Sequence, residues 1–318
     1  MTKTSHVNNK ENLNPAQKEI LDQLGLPKEK RPVFSEDIRS HLKDSLEKAV
    51  SKNLNTVNND DIFLNKHRLN MTHGCEARFL AEDGGQFEWK VPLARGTIVH
   101  KAIELSLNWR KANEPSLLVD ETLSIFEGDT SDFSHWLQSS SEASRAELRS
   151  ESIDIVAKFL ECWPTLKPAW KPVTESRIRS ELCEGRLILI GRVDLTLGSA
   201  EGQRAGKVII DFKTGGFSPT HLEDLRFYAL IETLRIGTPP RLVVSYNLEQ
   251  AKLISENINE DALMSATRRV VEGIERLTEL LYKNKTPVKI PGPACRWCSI
   301  SETCNEGKNY LLETDYSV

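Results

Sequence analysis

Between residues 173 and 213 three strand-like segments follow one another with short connections, and no other feature of this 318-residue chain restricts its fold as tightly. VTESRIRSEL alternates apolar and polar residues, the two-residue period of a strand with one buried face. LILIGRVDLTL is a second strand, and KVIIDFK is a third with a continuous apolar run. Gly185 and the stretch Gly198–Gly206 supply the turns. Strands joined this way usually lie side by side. The centre of the fold is therefore expected to be an antiparallel meander.

Helical periodicity surrounds it. Ile38, Leu42, Leu46 and Ala49 recur at helical spacing from Ser35 to about Ala49, with Ser35 and Asp37 offering N-terminal capping chemistry. A short helix is expected beside Cys75, within Met71 to Phe79. A longer one from Ala94 to Lys111 has a broad apolar face built on Ile98, Val99, Ala102 and Ile103. Residues 116–163 read as helical up to Trp163-Pro164. After the meander come a helix from about Pro219 to Arg235, the strand RLVVSYNL, a short strand near Lys252 and a helix from about Asp261 to Tyr282. A Pro-, Gly- and Cys-rich tail begins at Lys285. Residues 1–60 read as a polar arm with one or two helices, Ile20, Leu21, Leu24 and Leu26 forming a short amphipathic one. The order of elements gives an α/β class.

Composition narrows the setting. With 39% hydrophobic and 28% charged residues the chain belongs among soluble globular proteins. No apolar run approaches the roughly 18 residues of a membrane span, and the start MTKTSHVNNKEN is polar rather than signal-like. A cytoplasmic location without a membrane partner is expected. In that reducing compartment six cysteines read as metal ligands or core residues rather than disulfides. A net charge of -4 gives no global basic signature, so a nucleic-acid partner has to rest on local patches. No Walker A lysine loop is present, so the chain is not itself a helicase motor.

On KVIIDFK, side chains alternate, so Asp211 and Lys213 point one way and Phe212 the other. On the neighbouring strand Asp194 interrupts an apolar run, which lets the two carboxylates lie side by side. Their repulsion is relieved if a divalent cation sits between them. Mg2+ suits oxygen ligands and keeps several waters. Such an ion polarises a phosphoryl oxygen and acidifies bound water, while Lys213 orients that water or stabilises developing charge. The same residues also fit a buried Asp–Lys salt bridge with an unrelated Asp nearby, and the strands alone leave both readings open. Gly191, three residues before Asp194, would let a bulky ligand approach the backbone.

The order of His100 in GTIVHKAIE, Asp194 in GRVD, Asp211 and Lys213 in DFKTG, then Tyr228, resembles the RecB-like branch of the PD-(D/E)XK nuclease superfamily. That resemblance implies a restriction-endonuclease-like core over residues 61–318: a central mixed sheet flanked by helices, with added N-terminal helices and a cysteine-rich C-terminal staple. It implies that His100, Asp194, Asp211 and the Phe212 carbonyl hold Mg2+ or Mn2+, with Lys213 and Tyr228 completing the catalytic set. Glu104, one turn after His100, is a candidate supporting partner. Glu175 is a weaker candidate whose competing fate is a solvated strand edge. Where the family carries Gln-x-x-x-Tyr on the following helix, this chain has Asp224 and Tyr228. An acid there would repel phosphate unless Arg226 pairs with it.

Cys295-x2-Cys298-x5-Cys304 is a compact thiol triad, and Cys75 stands far upstream in HGCEARF. Spacing alone fits zinc or an iron–sulfur cluster equally well. Cys162 and Cys183 lack clustered partners and read as buried structural residues. One cysteine before the core and three after it resemble the iron-staple nucleases, including the AddB and Cas4 groups. The resemblance implies a [4Fe-4S] cluster on Cys75, Cys295, Cys298 and Cys304, with Zn2+ the alternative, closing a long loop between the chain ends.

The expectation is an exonuclease-type DNA nuclease of repair, recombination or processing, acting on single strands or free ends beside a helicase partner. The competing readings are a nucleic-acid-binding helicase-partner subunit with little activity, and a zinc-stapled protein whose acidic pair is structural. Arg68, Arg78, Arg95, Lys101, Arg192, Arg226, Arg296 and Trp297 are candidates for a DNA path.

Overall fold

The computed structural model describes residues 13–57, 61–85, 88–108, 114–216, 218 and 220–315. The first residues of the polar arm, Lys111 and Pro219 lie outside the described residues.

The expected meander forms as β2 (Val173–Leu182), β3 (Leu187–Leu197) and β4 (Val208–Lys213). β2 pairs antiparallel along β3 from Val173 opposite Thr196 to Leu182 opposite Leu187, with a break at Glu175 and Asp194. The other edge of β3 is shared. Its first residues pair in parallel with β1 (Ile62–Leu64), and only Leu195–Leu197 pair with β4. Residues 190–194 of that edge therefore have no strand beside them, and β4 diverges there. β5 (Leu242–Asn247) joins β4 in parallel across the helix α9 (Thr220–Ile236), and β6 (Lys252–Asn257) closes a six-stranded mixed sheet.

Helices cover both faces, as the α/β reading and the family resemblance imply. One layer holds α2 (Ile38–Leu54), α9 and α10 (Glu260–Tyr282) against Leu187, Leu189, Val193, Ile209 and Val243. The other holds α5 (Val91–Asn108), α6 (Pro115–Glu127), α7 (Asp132–Ser139) and α8 (Glu142–Cys162) against Leu195, Leu197, Ile210, Phe212 and Val244. Val193 and Leu195 lie in different cores, so the two layers meet at Asp194.

The expected stretch 116–163 is three helices because Gly128 and the Ser-rich turn at residues 139–141 interrupt it. α2 starts later than expected, at Ile38. The Ser35 hydroxyl accepts from the Asp37 N–H, and Asp37 sits at the N-cap without a side-chain cap bond. α2 buries Ile38, Leu42, Leu46, Val50 and Leu54 in the same cluster as β1 and β3. The amphipathic helix is α1 (Pro15–Leu24), and its buried Ile20 and Leu24 join the opposite core. No helix of the described residues is long and apolar enough to cross a membrane.

Candidate active site

The gap between β3 and β4 collects the polar residues. β4 leaves β3 after Ile210, and the Asp194 carboxylate spans the opening: the Phe212 N–H donates to its Oδ2 at 2.6 Å. On an extended strand the N–H and C=O of one residue leave toward the same edge, so the Phe212 carbonyl also faces the gap. From α5, His100 Nδ1 approaches Asp194 Oδ1 at 3.3 Å. Burial pulls the His100 imidazole down, yet Asp194 raises it further, and the net shift is upward.

Glu175 is brought in from β2, opposite Asp194, and is not a solvated edge residue. Its side chain is 16% exposed and pairs with Arg192. Its backbone is left-handed at φ 52°, a conformation that costs a non-glycine residue about 1 kcal/mol or more. Burial and then Asp194 push its carboxyl above the usual range, with Arg192 opposing. One ligand atom from each of His100, Glu175 and Asp194 lies within 4.8 Å of the others.

Asp211 is 2% exposed and stands beside this group. Its Oδ1 is 3.0 Å from Lys66 Nζ, and its Oδ2 is 2.6 Å from Lys213 Nζ. Burial alone would raise this carboxyl, but the two ammonium groups hold it well below the carboxylate range. Oδ2 is thus buried against the Lys213 ammonium, and each carboxylate oxygen has a lysine beside it.

Lys66 was not singled out from the sequence. Nothing local distinguishes it from His67 and Arg68; β1 carries it into the gap, because the chain passes Leu64 and turns into α3 (Lys66–His73) where the β3 edge is unpaired. Lys66 Nζ also stands 5.1 Å from the Tyr228 ring centroid. Burial pulls its ammonium down, and Asp211 followed by Tyr228 more than reverses this.

Tyr228 sits beneath the site. A Cβ on Gly191 would come within 2.5 Å of its ring. The space left by Gly191 is therefore filled by Tyr228 and is not an approach for ligand, as the sequence alone suggested. The phenol is 2% exposed, and burial drives it up to about 12. Four residues earlier, Asp224 accepts from Asn70 Nδ2 at 2.6 Å, while Arg269 donates to Asn70 Oδ1 at 2.8 Å. Arg226 is directed away from Asp224, forking onto Glu256 and reaching Glu223. Asp224 is thus hydrogen-bonded by an amide and not paired with Arg226, and burial raises its carboxyl.

Glu104 pairs with Lys101 at 2.9 Å. Of the other candidate DNA contacts, Arg68 meets Asp83, Arg78 meets Glu82, and Arg95 meets Glu151 and Glu249. Trp297 is 61% exposed.

Four of the cysteines gather around a second cavity. Cys75 precedes α4 (Glu76–Glu82), and the tail returns beside it: the Glu76 and Ala77 N–H groups donate to the Val288 carbonyl. Cys75, Cys295, Cys298 and Cys304 line one cavity of about 550 Å3. The Gly292 and Gly307 N–H groups donate to the sulfurs of Cys295 and Cys304, each at 3.4 Å. A Cβ on Gly307 would rest in van der Waals contact with those sulfurs, at 3.4 and 3.6 Å. Cys162 and Cys183 stand apart and are half-buried rather than buried.

A family model described as PD-(D/E)XK nuclease superfamily matches residues 64–305. No curated protein matches the chain. Among solved structures, a "Putative exonuclease" from Eubacterium rectale is similar at 12% identity and TM-score 0.46, over 78% of this chain and 87% of that one. SSO0001 is similar at 12% identity and TM-score 0.34, over 84% and 96%. Rai1 of Scheffersomyces stipitis follows at 12% identity and TM-score 0.26, over 91% and 83%.

Proposed function

The chain belongs to the PD-(D/E)XK nuclease superfamily, and on that premise we propose that it is a metal-dependent deoxyribonuclease of the RecB-like type, acting from DNA ends or on single strands. The observation that carries this reading is the convergence of His100, Glu175 and Asp194 beside the buried carboxylate of Asp211. One imidazole and several carboxylate oxygens form a donor set suited to Mg2+ or Mn2+. Bound there, the ion supplies Lewis acidity toward a phosphoryl oxygen and acidifies a water.

The chain's own groups do the rest. Asp194 and Asp211 fix the ligand oxygens, Asp194 through its bond from the Phe212 N–H. Lys213, 18% exposed at the end of β4, is the charge best placed to orient a water or meet the developing negative charge. Lys66 holds the other Asp211 oxygen, and Tyr228 supports Lys66 from below.

The four thiols fit a [4Fe-4S] cluster. They line one cavity of about 550 Å3, and the iron-staple resemblance of their order in the chain favours the cluster over zinc. Cys75, Cys295, Cys298 and Cys304 would hold it, and its contribution is to clamp the tail to α4.

The test is digestion of end-labelled single- and double-stranded DNA with Mg2+ or Mn2+, comparing the wild type with Lys213→Ala. Loss of about a hundredfold or more in rate is expected. Equal activity in the two proteins sinks the catalytic assignment. An inactive, cluster-loaded wild type that still binds DNA supports a binding subunit instead. Anaerobic protein that is colourless and carries zinc rejects the iron–sulfur assignment.

A further inference from the structure

At the other end of β4 the chain carries a second polar cavity. Leu197 and Val208 form its wall, each three residues from a carboxylate of the candidate site, or about 10 Å along a strand. Its volume is about 180 Å3, room for roughly six waters at about 30 Å3 each. Arg31, Arg241, Lys171 and Trp170 line it.

Arg241 is 6% exposed, and buried arginine is rare without a carboxylate. This one has none: its Nη2 donates to the Leu24 carbonyl, and its Nε is buried without any partner. Arg31 donates through Nε to the Leu26 carbonyl and stands close enough to depress Arg241 further, after burial, to about 10. Two guanidinium groups thus share a cavity, each using a carbonyl of the N-terminal arm for one donor. The lining carboxylate, Glu201, is already paired with Lys28.

The backbone beneath the cavity is tightly packed at Gly206. A Cβ on Gly206 would collide with the Ser199 carbonyl at 2.1 Å and lie 3.1 Å from Arg31 Nη1. At the rim Lys171 is held in the left-handed region at φ 48°, which a lysine adopts only under constraint from its surroundings.

We propose that this cavity is a phosphate site. It takes a tetrahedral phosphate group, either free or as the terminal group of a nucleoside monophosphate whose base rests on Trp170. Forked guanidinium donors match two oxygens of such a group, and Lys171 adds a point charge at the mouth. The bound anion would remove the repulsion between the two arginines.

The test is calorimetric titration of the full chain with inorganic phosphate and with dAMP, in EDTA and at constant ionic strength. Saturable binding is expected for at least one of them. Arg31→Gln should weaken it roughly tenfold, the loss of one charge-assisted bond. Arg241→Lys, which keeps the charge but not the fork, should weaken it as well. Arg241 also holds α1, so a cooperative melt is required of that variant, and Arg31→Gln decides if it fails to fold. Tighter binding of dAMP that falls to the phosphate level in Trp170→Ala assigns a mononucleotide; equal binding assigns free phosphate. No saturable binding of either overturns the proposal. So does binding unchanged in Arg31→Gln but lost in Lys213→Ala, which places the anion at Asp211. Nuclease activity does not enter these readouts, so the site and the proposed function stand or fall separately.

Discussion

Asp211 shows how a single buried charge depends on its partners. Removing one partner of a buried ion pair typically costs about 3–5 kcal/mol. Lys66 is 31% exposed and Lys213 remains, so Lys66→Met should cost less, about 1–2 kcal/mol. A cation at the site would replace the missing charge. The Tm deficit of Lys66→Met should therefore shrink when saturating Mg2+ replaces EDTA; an identical deficit in both would mean that no cation reaches Asp211. His100 gives a pH dependence of opposite character to an acid. Its folded value is raised above 6.5 by Asp194, so its contribution is fully present below about 6.5 and is lost as pH rises through the folded value. In EDTA, the Tm difference between wild type and His100→Gln should narrow from pH 6 to pH 8. A constant difference would show that the pair with Asp194 has no thermodynamic weight. His100, Asp194, Asp211 and Lys213 were legible because each breaks a local pattern: three interrupt apolar strands, and the fourth interrupts an apolar helix face. Glu175 and Lys66 break none, standing among other polar residues, and only the pairing of strands selects them.

At the level of elements, legibility followed length. The meander, α9 and α10 are long and periodic, and their expected bounds lie close to the observed ones. β1 is three residues long with one exposed position, and its partner is more than a hundred residues away, so no local signal marks it. Yet β1 shapes the site, because it occupies one end of the β3 edge and leaves the middle open. The contact between α9 and β3 depends on Gly191. Gly191→Ala would put a methyl group against the Tyr228 ring, and overpacking of this kind costs about 1–3 kcal/mol. Urea unfolding should show that loss, and Tyr228→Leu in the same chain should recover much of it. If the single variant is as stable as wild type, the close packing of α9 on β3 is not what holds Tyr228. Activity should fall in Gly191→Ala even where folding is intact, since the ring that moves is the one beneath Lys66.

Across the whole molecule the decisive feature is the return of the tail to α4, a closure that no local pattern encodes. Cysteine spacing pointed to it, but the structure adds an anchor that spacing cannot reveal. Glu76 is 3% exposed; its Oε2 accepts from the Val288 N–H at 2.8 Å, and its Oε1 meets Lys285 at 3.3 Å. The tail is therefore held by this carboxylate as well as by the Val288 carbonyl bonds, and the proposed cluster would add a further clamp, with Glu76 adjacent to Cys75 in sequence. Two clamps on one segment should not act independently. Cys298→Ser alone should abolish the visible absorbance of the cluster and lower Tm, while the nuclease core still melts cooperatively. Glu76→Ala alone leaves the Val288 N–H without its acceptor, while Lys285 keeps Glu279 at 3.1 Å, and should cost about 1–3 kcal/mol. Only the double variant should free the tail, read as rapid proteolysis near Lys283 and Lys285 with the remainder of the chain resistant. If Cys298→Ser by itself releases the tail, the carboxylate anchor is too weak to matter, and the thiol centre is the sole clamp on the chain end.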